Sequence, residues 1–315
     1  MAIALDSRKI YKKGIIRCIT SREGNVQIKG YVDRSELHKI NGNSLESFVI
    51  SNQLNIKNEK EILTQLIEKD WDFLGLEDPD IYLDKETDIM HVYFTVPIRH
   101  CDKTKKMKIH LGHAEGKDLN SLKMTMPVLM DNGTESAKEV SIAPLNQKGF
   151  RYNLIESRDR RNDTTYSVIK VAIAEEMGEN WKYGNTVFHP AEHNLPWIGG
   201  HASPGPLFSK NFIDMGEGKL LGVINGREAN QIIAGKTKYG MFSIGLFIYD
   251  YENGKIDWVS PQPFIQDSEA LTITFASQFV ETKPGEGILY AHVDDSFVRA
   301  YTLKAEFIKP LLPKI

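Results

Sequence analysis

The chain has 315 residues, of which 41% are hydrophobic and 26% charged, with a formal net charge of −3. This is the composition of an ordinary globular protein. Without a dense run of cations it offers little to a phosphate backbone, so we expect no nucleic-acid partner. No stretch approaches the ~20 apolar residues of a membrane span, and the first residues lack the apolar core of a secretory signal. Since Cys18 and Cys101 are too few for a disulfide framework, we expect a cytoplasmic protein with reduced thiols and no membrane partner.

Pairs of strand-like segments recur along the chain at intervals of roughly sixty residues. The pairs lie at residues 25–34 with 44–51, 91–98 with 108–116, 151–159 with 167–176, 219–228 with 241–251, and 287–296 with 297–306. A long fixed period of strand pairs is typical of radial repetition, because each blade buries its faces only against its neighbours. We therefore predict an all-β, five-bladed β-propeller that forms a single domain over residues 1–315. A two-sheet sandwich or jelly roll would give similar local alternation and is the alternative fold.

Three segments depart from the strand pattern. Residues 58–69 place apolar side chains at helical spacing behind an Asn–Glu start, which predicts one surface helix. The lysine-rich residues 103–108 lie between two predicted strands and indicate a solvated hairpin tip. The Pro- and Gly-rich residues 189–204 predict a long loop, in which Trp197 is the candidate platform for stacking a sugar ring.

Three carboxylates crowd around Pro79, where a predicted strand begins: Glu77, Asp78 and Asp80. Proline disfavours helical backbone in the preceding residue, so Asp78 is expected to be extended at the strand entrance. Like charges packed together, or a carboxyl removed from water, raise the pKa of at least one member. That is how a carboxylic acid stays protonated for general-acid catalysis near neutral pH. The alternative is a solvated turn that acidic residues cap.

Polar residues stand at comparable positions in the other units. The segments at residues 138–145, 199–209 and 269–281 precede the last three strand pairs and are predicted to be innermost strands. Their entrances, with the ends of the strands that follow, would gather these side chains at the axis: Asp33, Arg34, Glu156, Arg158, His201, Ser203, Arg227, Glu228, Glu269 and Asp294. Carboxylates accept and guanidinium groups donate hydrogen bonds, so such a ring suits a hydroxyl-rich ligand. The alternative is that these residues pair across blades as salt bridges.

The run G-L-E-D-P-D-I at residues 75–81 resembles the G-x-E-D-P-R-I signature of glycoside hydrolase family 130, and the similarity continues at residues 108–122, 202–208, 244–265 and 273–296. The resemblance implies a five-bladed propeller enzyme that acts on β-mannosides by phosphorolysis or by hydrolysis. It implies that Asp78 is the general acid, that Asp294 lies on the substrate side near the axis, and that His201 lies close to a phosphate-contacting histidine. It implies neither a metal nor a cofactor, with inorganic phosphate as the co-substrate of any phosphorolysis.

The sequence departs from the signature at Asp80, where the family has arginine, and the family's arginine pair in the third blade has no clean match. Because phosphate needs a fixed cationic pocket, hydrolysis is favoured over phosphorolysis. We thus expect an inverting glycosidase on β-linked, manno-configured oligosaccharides. The expected substrate-binding residues are Glu77, Asp80, Arg34, Glu156, Arg158, His201, Arg227 and Asp294.

Two other functions fit the same sequence. A furanosidase-like propeller that acts on fructosides or arabinosides would use Asp33, Asp78 and Glu156 as its acidic set. A non-catalytic carbohydrate-binding propeller would use the acids only to hold its rim together. The sequence leaves open whether the chain forms a homo-oligomer.

Overall fold

The computed structural model describes residues 2–102 and 107–314, and its strands form five antiparallel units, which we number blades 1 to 5 in chain order. Blade 1 consists of β1 (Ile3–Leu5), β2 (Lys13–Glu23), β3 (Val32–Ser44) and β4 (Ser47–Gln53). Blade 2 consists of β5 (Trp71–Phe73), β6 (Glu77–Leu83), β7 (Met90–His100), β8 (Lys108–Gly116) and β9 (Lys123–Met124). Blade 3 consists of β10 (Lys138–Ser141), β11 (Arg151–Arg161), β12 (Thr164–Ala174) and β13 (Lys182–Phe188).

Blade 4 carries an inserted hairpin, formed by β16 (Gln231–Ile233) and β17 (Lys236–Lys238). Its other strands are β14 (His201–Leu207), β15 (Lys219–Arg227), β18 (Phe242–Asp250) and β19 (Lys255–Val259). Blade 5 consists of β20 (Thr274–Lys283), β21 (Glu286–Val293) and β22 (Phe297–Lys304). A single parallel bridge between Ser167 and His201 joins blades 3 and 4 into one continuous sheet.

The innermost strands of the five blades contact one another in a closed ring. The contacts run from β1 to β6, β10, β14 and β20, and from β20 back to β1. The closing contact joins the first strand to the last blade: the Ile3 N–H donates to Ser277 Oγ (3.2 Å) and the Leu5 N–H to Gln278 Oε1 (3.1 Å). A closed ring of blades is the architecture of a propeller. The predicted five-bladed propeller is therefore confirmed, and the sandwich alternative is excluded.

Each interface between neighbouring blades has its own apolar cluster. Successive side chains of a strand point to opposite faces, so a central strand of a blade can contribute to two clusters. Between blades 2 and 3, for example, Tyr93 and Leu111 pack with Ile155 and Ala172. The other four interfaces are filled in the same way, with clusters joining blades 1 and 2, 3 and 4, 4 and 5, and 5 and 1. The core is thus distributed around the ring, and burial of each blade depends on its neighbours.

The strand pair predicted for blade 1 was wrong. Residues 25–34 were expected to pair with residues 44–51, whereas β2 pairs with β3, and β3 with β4. The apolar residues of the 25–34 segment imitate strand alternation, but Val26 and Tyr31 pack with Phe242 of blade 4 in a separate small cluster. The innermost strands expected in blades 3 to 5 were found as β10, β14 and β20.

The described residues contain two short α-helices, α1 (Glu59–Leu66) and α2 (Ala305–Ile308). The first confirms the predicted surface helix and buries Ile62, Leu63 and Leu66. Neither helix, within the described ranges, has the length and apolar character needed to traverse a bilayer. The predicted hairpin tip at residues 103–108 lies largely outside the described residues.

Candidate functional site

A cavity of about 330 Å³ opens at the end of the ring where β6, β10 and β14 begin. The first residues of the innermost strands of blades 2, 3 and 4 bring Asp78, Glu139 and His201 to its wall. Blades 1 and 5 add Arg17 and Asp295. Charged groups far apart in the sequence therefore meet at the axis, as the repeat pattern predicted.

Arg17 of β2 organises the carboxylates at the floor of this cavity. It is 7% exposed, and its guanidinium donates from Nη1 to Asp78 Oδ1 (2.9 Å), from Nη2 to Glu77 Oε1 (2.8 Å) and from Nε to Ser35 Oγ (2.9 Å). Its Nη1 also lies 3.9 Å from Asp295 Oδ1. Burial disfavours the charge, but Asp78 and Glu77 outweigh burial and raise the pKa of Arg17. One buried cation therefore serves three carboxylates from two other blades.

Asp78 and Glu139 form a hydrogen-bonded pair of carboxyl groups. Burial, followed by the negative charge of Asp78, raises the pKa of Glu139 well above its usual range. Burial acts in the same direction on Asp78, but the Arg17 guanidinium outweighs it and lowers the pKa of Asp78. Two hydrogen-bonded carboxyl groups share one proton, and the cation beside Asp78 keeps that proton on Glu139. The two opposite pKa shifts favour a proton on Glu139 and a charge on Asp78.

Glu156, His201 and Lys138 make a second polar cluster beside the pair. His201 Nε2 lies 3.0 Å from Glu156 Oε2, and Lys138 Nζ lies 3.4 Å from Glu156 Oε1. Burial opposes the charge of Glu156, but His201 and Lys138 outweigh it and lower its pKa to about 2. Burial lowers the pKa of His201 to about 4 in spite of that carboxylate. At neutral pH the imidazole is therefore uncharged, and a carboxylate behind the cavity wall fixes its orientation.

The upper wall of the cavity is aromatic and includes Tyr31, Tyr239, Phe242 and Phe275. The inserted hairpin of blade 4 reaches a loop of blade 1 over the cavity: the Lys29 N–H donates to the Thr237 carbonyl and the Tyr239 N–H to the Gln27 carbonyl, both at 3.0 Å. Ring faces of this kind suit sugar rings, whose C–H groups are apolar and whose hydroxyls need partners at the edge.

Arg227, at the end of β15, lines the cavity beside His201 without a carboxylate partner. Its guanidinium lies over the ring of Tyr239, 4.4 Å from the centroid, and 5.3 Å from the centroid of Phe242. Within the described residues no carboxylate lies within ion-pair distance of it, and burial lowers its pKa. The charge of Glu156 and a hydrogen bond to Tyr239 act against that shift. A cation that stacks on aromatic rings, with no described carboxylate at ion-pair distance, is a docking point for an anion.

Among the residues predicted from the sequence, five line the cavity: Asp33, Glu77, Asp78, His201 and Arg227. Glu156 lies directly behind His201. Two predicted arginines lie elsewhere, because other groups bind them. Arg34 pairs with Asp72 and donates to the Phe73 carbonyl (2.9 Å). Arg158 pairs with Asp131 (2.6 Å) and donates to the Met107 carbonyl (2.9 Å).

Two predicted acids also have other positions. Asp294 accepts the backbone N–H groups of Leu271, Thr272 and Ile273 at 2.7, 2.9 and 2.8 Å, so its carboxylate fixes a turn. Its neighbour Asp295 lines the cavity instead. Asp80 lines the narrow channel of about 220 Å³ along the inner strands, where burial raises its pKa to about 6.

The expectations for three further residues were not met. Trp197 is 7% exposed and packs flat against the glycines of blade 4, where a Cβ at Gly226 or Gly245 would lie within 2.4 Å of its ring. Ser203 is fully buried. Glu269 lies on the surface and pairs with Arg299 (2.8 Å).

Sequence reasoning missed five residues of the cavity with charged or imidazole side chains: Arg17, Lys138, Glu139, His292 and Asp295. A usable signal existed for two of them. Glu139 stands at the entrance of the third inner strand, as Asp78 stands at the second, and Arg17 is a lone cation within the apolar start of β2. His292 Nδ1 lies 2.9 Å from Asp295 Oδ1, a pairing that depends on the turn after β21 and leaves no pattern in the sequence.

The fold is shared with carbohydrate-active propellers. No protein-family model matches the sequence, and no curated protein does so significantly. Solved structures do match, at low identity and over nearly the whole chain. A β-1,2-mannobiose phosphorylase from Listeria innocua, in complex with β-1,2-mannobiose, has a TM-score of 0.64 at 13% identity, covering 92% of this chain and 73% of its own.

Two further structures extend the comparison. One comes from the family 130 mannoside phosphorylases, which contain hydrolases that target β-1,2-mannosidic linkages in Candida mannan. It has a TM-score of 0.65 at 14% identity, covering 97% of this chain and 83% of its own. An endo-arabinase from Bacteroides thetaiotaomicron has a TM-score of 0.54 at 12% identity, covering 96% and 92%. The fold likeness to family 130 agrees with the resemblance that the sequence motifs carry.

Proposed function

We propose that the protein is a glycoside hydrolase or glycoside phosphorylase that cleaves β-linked, manno-configured oligosaccharides with inversion. The observation that carries the proposal is the Asp78–Glu139 carboxyl pair at the wall of an aromatic-lined cavity on the propeller axis, where burial and Asp78 raise the pKa of Glu139. The motif resemblance and the shared fold with mannoside phosphorylases support the choice of substrate.

Glu139 donates the proton in this proposal. Its carboxyl group is neutral, and Asp78 next to it is held ionised by Arg17. When the bond from the sugar anomeric carbon to the leaving oxygen breaks, the proton of Glu139 passes to that oxygen. Asp78 was expected to be the acid itself. We propose that it acts as the partner that raises the pKa of Glu139 and orients its proton.

The attacking group reaches the anomeric carbon from the opposite side of the ring. In hydrolysis, Asp295, whose Oδ1 lies 3.9 Å from the same Arg17 Nη1 that binds Asp78, accepts the proton of the attacking water. In phosphorolysis, Arg227 binds the phosphate, whose oxygen attacks directly. Arg227, which the sequence predicted to bind substrate, supports phosphorolysis because its guanidinium stacks on Tyr239 and has no described carboxylate at ion-pair distance.

The test is to incubate the protein with β-1,2-mannobiose, with and without phosphate, and to separate the products. Free mannose in phosphate-free buffer identifies a hydrolase, and mannose 1-phosphate that requires added phosphate identifies a phosphorylase. An arabino-oligosaccharide in the same panel tests the furanosidase alternative. Binding of mannobiose without turnover of any substrate would indicate the non-catalytic alternative and overturn the proposal.

A further inference from the structure

Blade 2 carries a cluster of metal-ligating side chains at the end of its central strands opposite the candidate site. Its members are His91 of β7 and His113 and Glu115 of β8. His91 stands directly opposite Glu115 in the antiparallel ladder, and Tyr93 opposite His113. Because side chains two residues apart share a face, all three donors project from the same side of the blade. Thr95 of β7 lines the candidate site, so the cluster lies about 13 Å away along the strand.

The two imidazoles already face each other with the nitrogens that a metal would need. His91 Nδ1 lies 2.9 Å from His113 Nε2, and a potential ligand atom from each of the three residues lies within 4.8 Å of the others. Metal–nitrogen distances of about 2.0–2.1 Å in a tetrahedral site place two ligand nitrogens about 3.3 Å apart. An increase of a few tenths of an ångström in the distance between the two nitrogens would therefore admit an ion between the rings.

A hydrogen-bonded chain fixes the tautomer of His113. The Thr125 hydroxyl donates to the Met126 carbonyl (3.0 Å), so its oxygen accepts from His113 Nδ1–H at 2.8 Å. This arrangement leaves the lone pair of His113 Nε2 pointing at His91. A ligand imidazole commonly donates its other N–H to an oxygen in this way, which orients the ring for the metal.

The cluster opens into an acidic cavity between blades 2 and 3. His91, Glu115 and Thr125 line this cavity, whose volume is about 1140 Å³. Its wall carries six carboxylates, those of Asp84, Glu86, Glu115, Glu175, Glu176 and Glu179, against the two cations Lys85 and Arg151. The negative wall attracts cations, and the open volume supplies water as a fourth ligand.

We propose that His91, His113 and Glu115 bind a zinc ion, with water from the acidic cavity as the fourth ligand. Two imidazoles and one carboxylate are the ligand types that Zn²⁺ accepts in a tetrahedral site. The ion would tie β7 to β8 and stabilise blade 2, because it binds the folded chain and not the unfolded one.

The test uses the full chain after treatment with a chelator. Co²⁺ is added while the visible absorption of tetrahedral cobalt is recorded, Zn²⁺ is then used to displace it, and the melting temperature is followed with Zn²⁺. We expect one Co²⁺ per chain, displacement by Zn²⁺, and a higher melting temperature with Zn²⁺. His113→Asn should abolish the absorption, and Glu115→Gln, at a half-exposed position that tolerates change, should weaken binding at least about tenfold.

Glu86→Gln is the matched control, since it removes a carboxylate from the same cavity and leaves the cluster intact. His193→Asn removes an exposed imidazole from elsewhere on the surface. Both controls should bind cobalt as the unmodified protein does. Equal weakening by Glu115→Gln and Glu86→Gln would mean diffuse attraction to the acidic wall and would overturn the site. So would the lack of tetrahedral cobalt absorption in the unmodified protein.

Discussion

Asp78 and Glu139 occupy equivalent positions in neighbouring blades. Each is the second residue of an innermost strand, each has left-handed backbone, with φ of 47° and 49°, and each lies at a register shift of its ladder. The extended backbone expected for Asp78 from the following proline was therefore wrong. A bulge leaves one residue unpaired and redirects its side chain, and non-glycine residues with positive φ concentrate at functional sites. The same local distortion, repeated in two blades, brings the two carboxyl groups together over the axis.

Replacing either carboxyl group of this pair should lower kcat. We expect Glu139→Gln to lower kcat for mannobiose about 10²–10⁴-fold, because the amide cannot protonate the leaving oxygen. Asp78→Asn should lower kcat as well, because Glu139 then loses the neighbour that holds its proton. Steady-state rates measure kcat in both variants, and calorimetry measures their sugar binding separately. Asp163→Asn, at an exposed loop, is the control. Unchanged kcat in Glu139→Gln would refute its role.

The raised pKa of Glu139 predicts a distinctive dependence of stability on pH. Above the ordinary glutamate pKa the unfolded chain releases this proton while the folded protein keeps it. Folding then takes up a proton, so this group makes the protein less stable as pH rises. Glu139→Gln removes this pH-dependent contribution of Glu139 to the free energy of unfolding. In urea unfolding, we expect the free energy of unfolding of the variant to rise relative to that of the unmodified protein between pH 5 and pH 8. A constant difference across this range would contradict the prediction.

Arg17 should contribute strongly to the free energy of unfolding at neutral pH. Arg17→Met leaves Glu77, Asp78 and Asp295 without their shared cation, and breaking a buried ion pair from one side costs about 3–5 kcal/mol. The loss should shrink at low pH, where protonation neutralises the carboxylates. Denaturant midpoints at pH 5 and pH 8 measure this. Arg22→Met, which removes a half-buried arginine from the Asp33 pair, is the matched control with a smaller expected loss. Equal losses in both variants would argue against the central role of Arg17.

Asp294 and Asp295 should respond differently to the same substitution. Asp294 accepts three backbone N–H groups, so Asp294→Asn should lower the free energy of unfolding by about 1–3 kcal/mol. Asp295→Asn should chiefly lower kcat if the protein is a hydrolase, because its carboxylate lies in the cavity 3.9 Å from Arg17. Unfolding and turnover, measured on both variants, separate the two roles. A loss of sugar affinity in Asp294→Asn without a loss of stability would restore its predicted role in substrate binding.

Much of the fold could be predicted from the sequence because strand alternation and repeat period are local signals. They predicted the number of blades, the strand pairs of blades 2 to 5, the inner strands β10, β14 and β20, and the helix α1. The repeat period also predicted that Asp78, His201 and Arg227 meet at the axis, and all three line one cavity there. The single-domain organisation and the cytoplasmic location stay predictions.

The predictions of site residues that failed depended on tertiary contacts that local sequence patterns do not encode. Asp294 and Asp295 have nearly the same sequence context, and only the turn after β21 decides which of them faces the cavity. Arg34 and Arg158 were expected at the axis, but each is held by an acid from another segment of its surroundings, Asp72 and Asp131. Glu139 was overlooked because a Lys–Glu dipeptide at a strand entrance resembles an ordinary solvated end, and its burial follows only from ring closure.

The central claim is that Glu139 holds a proton at neutral pH beside an ionised Asp78. Infrared difference spectra between the unmodified protein and Glu139→Gln, recorded at pH 7, test this most directly, because a protonated carboxyl has a carbonyl stretch that a carboxylate lacks. We predict a protonated-carboxyl band from Glu139 in the difference spectrum with Glu139→Gln and none in the difference spectrum with Asp163→Asn. Burial raises the pKa of Glu77 to about 7, so a weaker protonated-carboxyl signal remains in Glu139→Gln. A difference spectrum that shows the loss of a carboxylate at position 139, and no protonated band, would contradict the account.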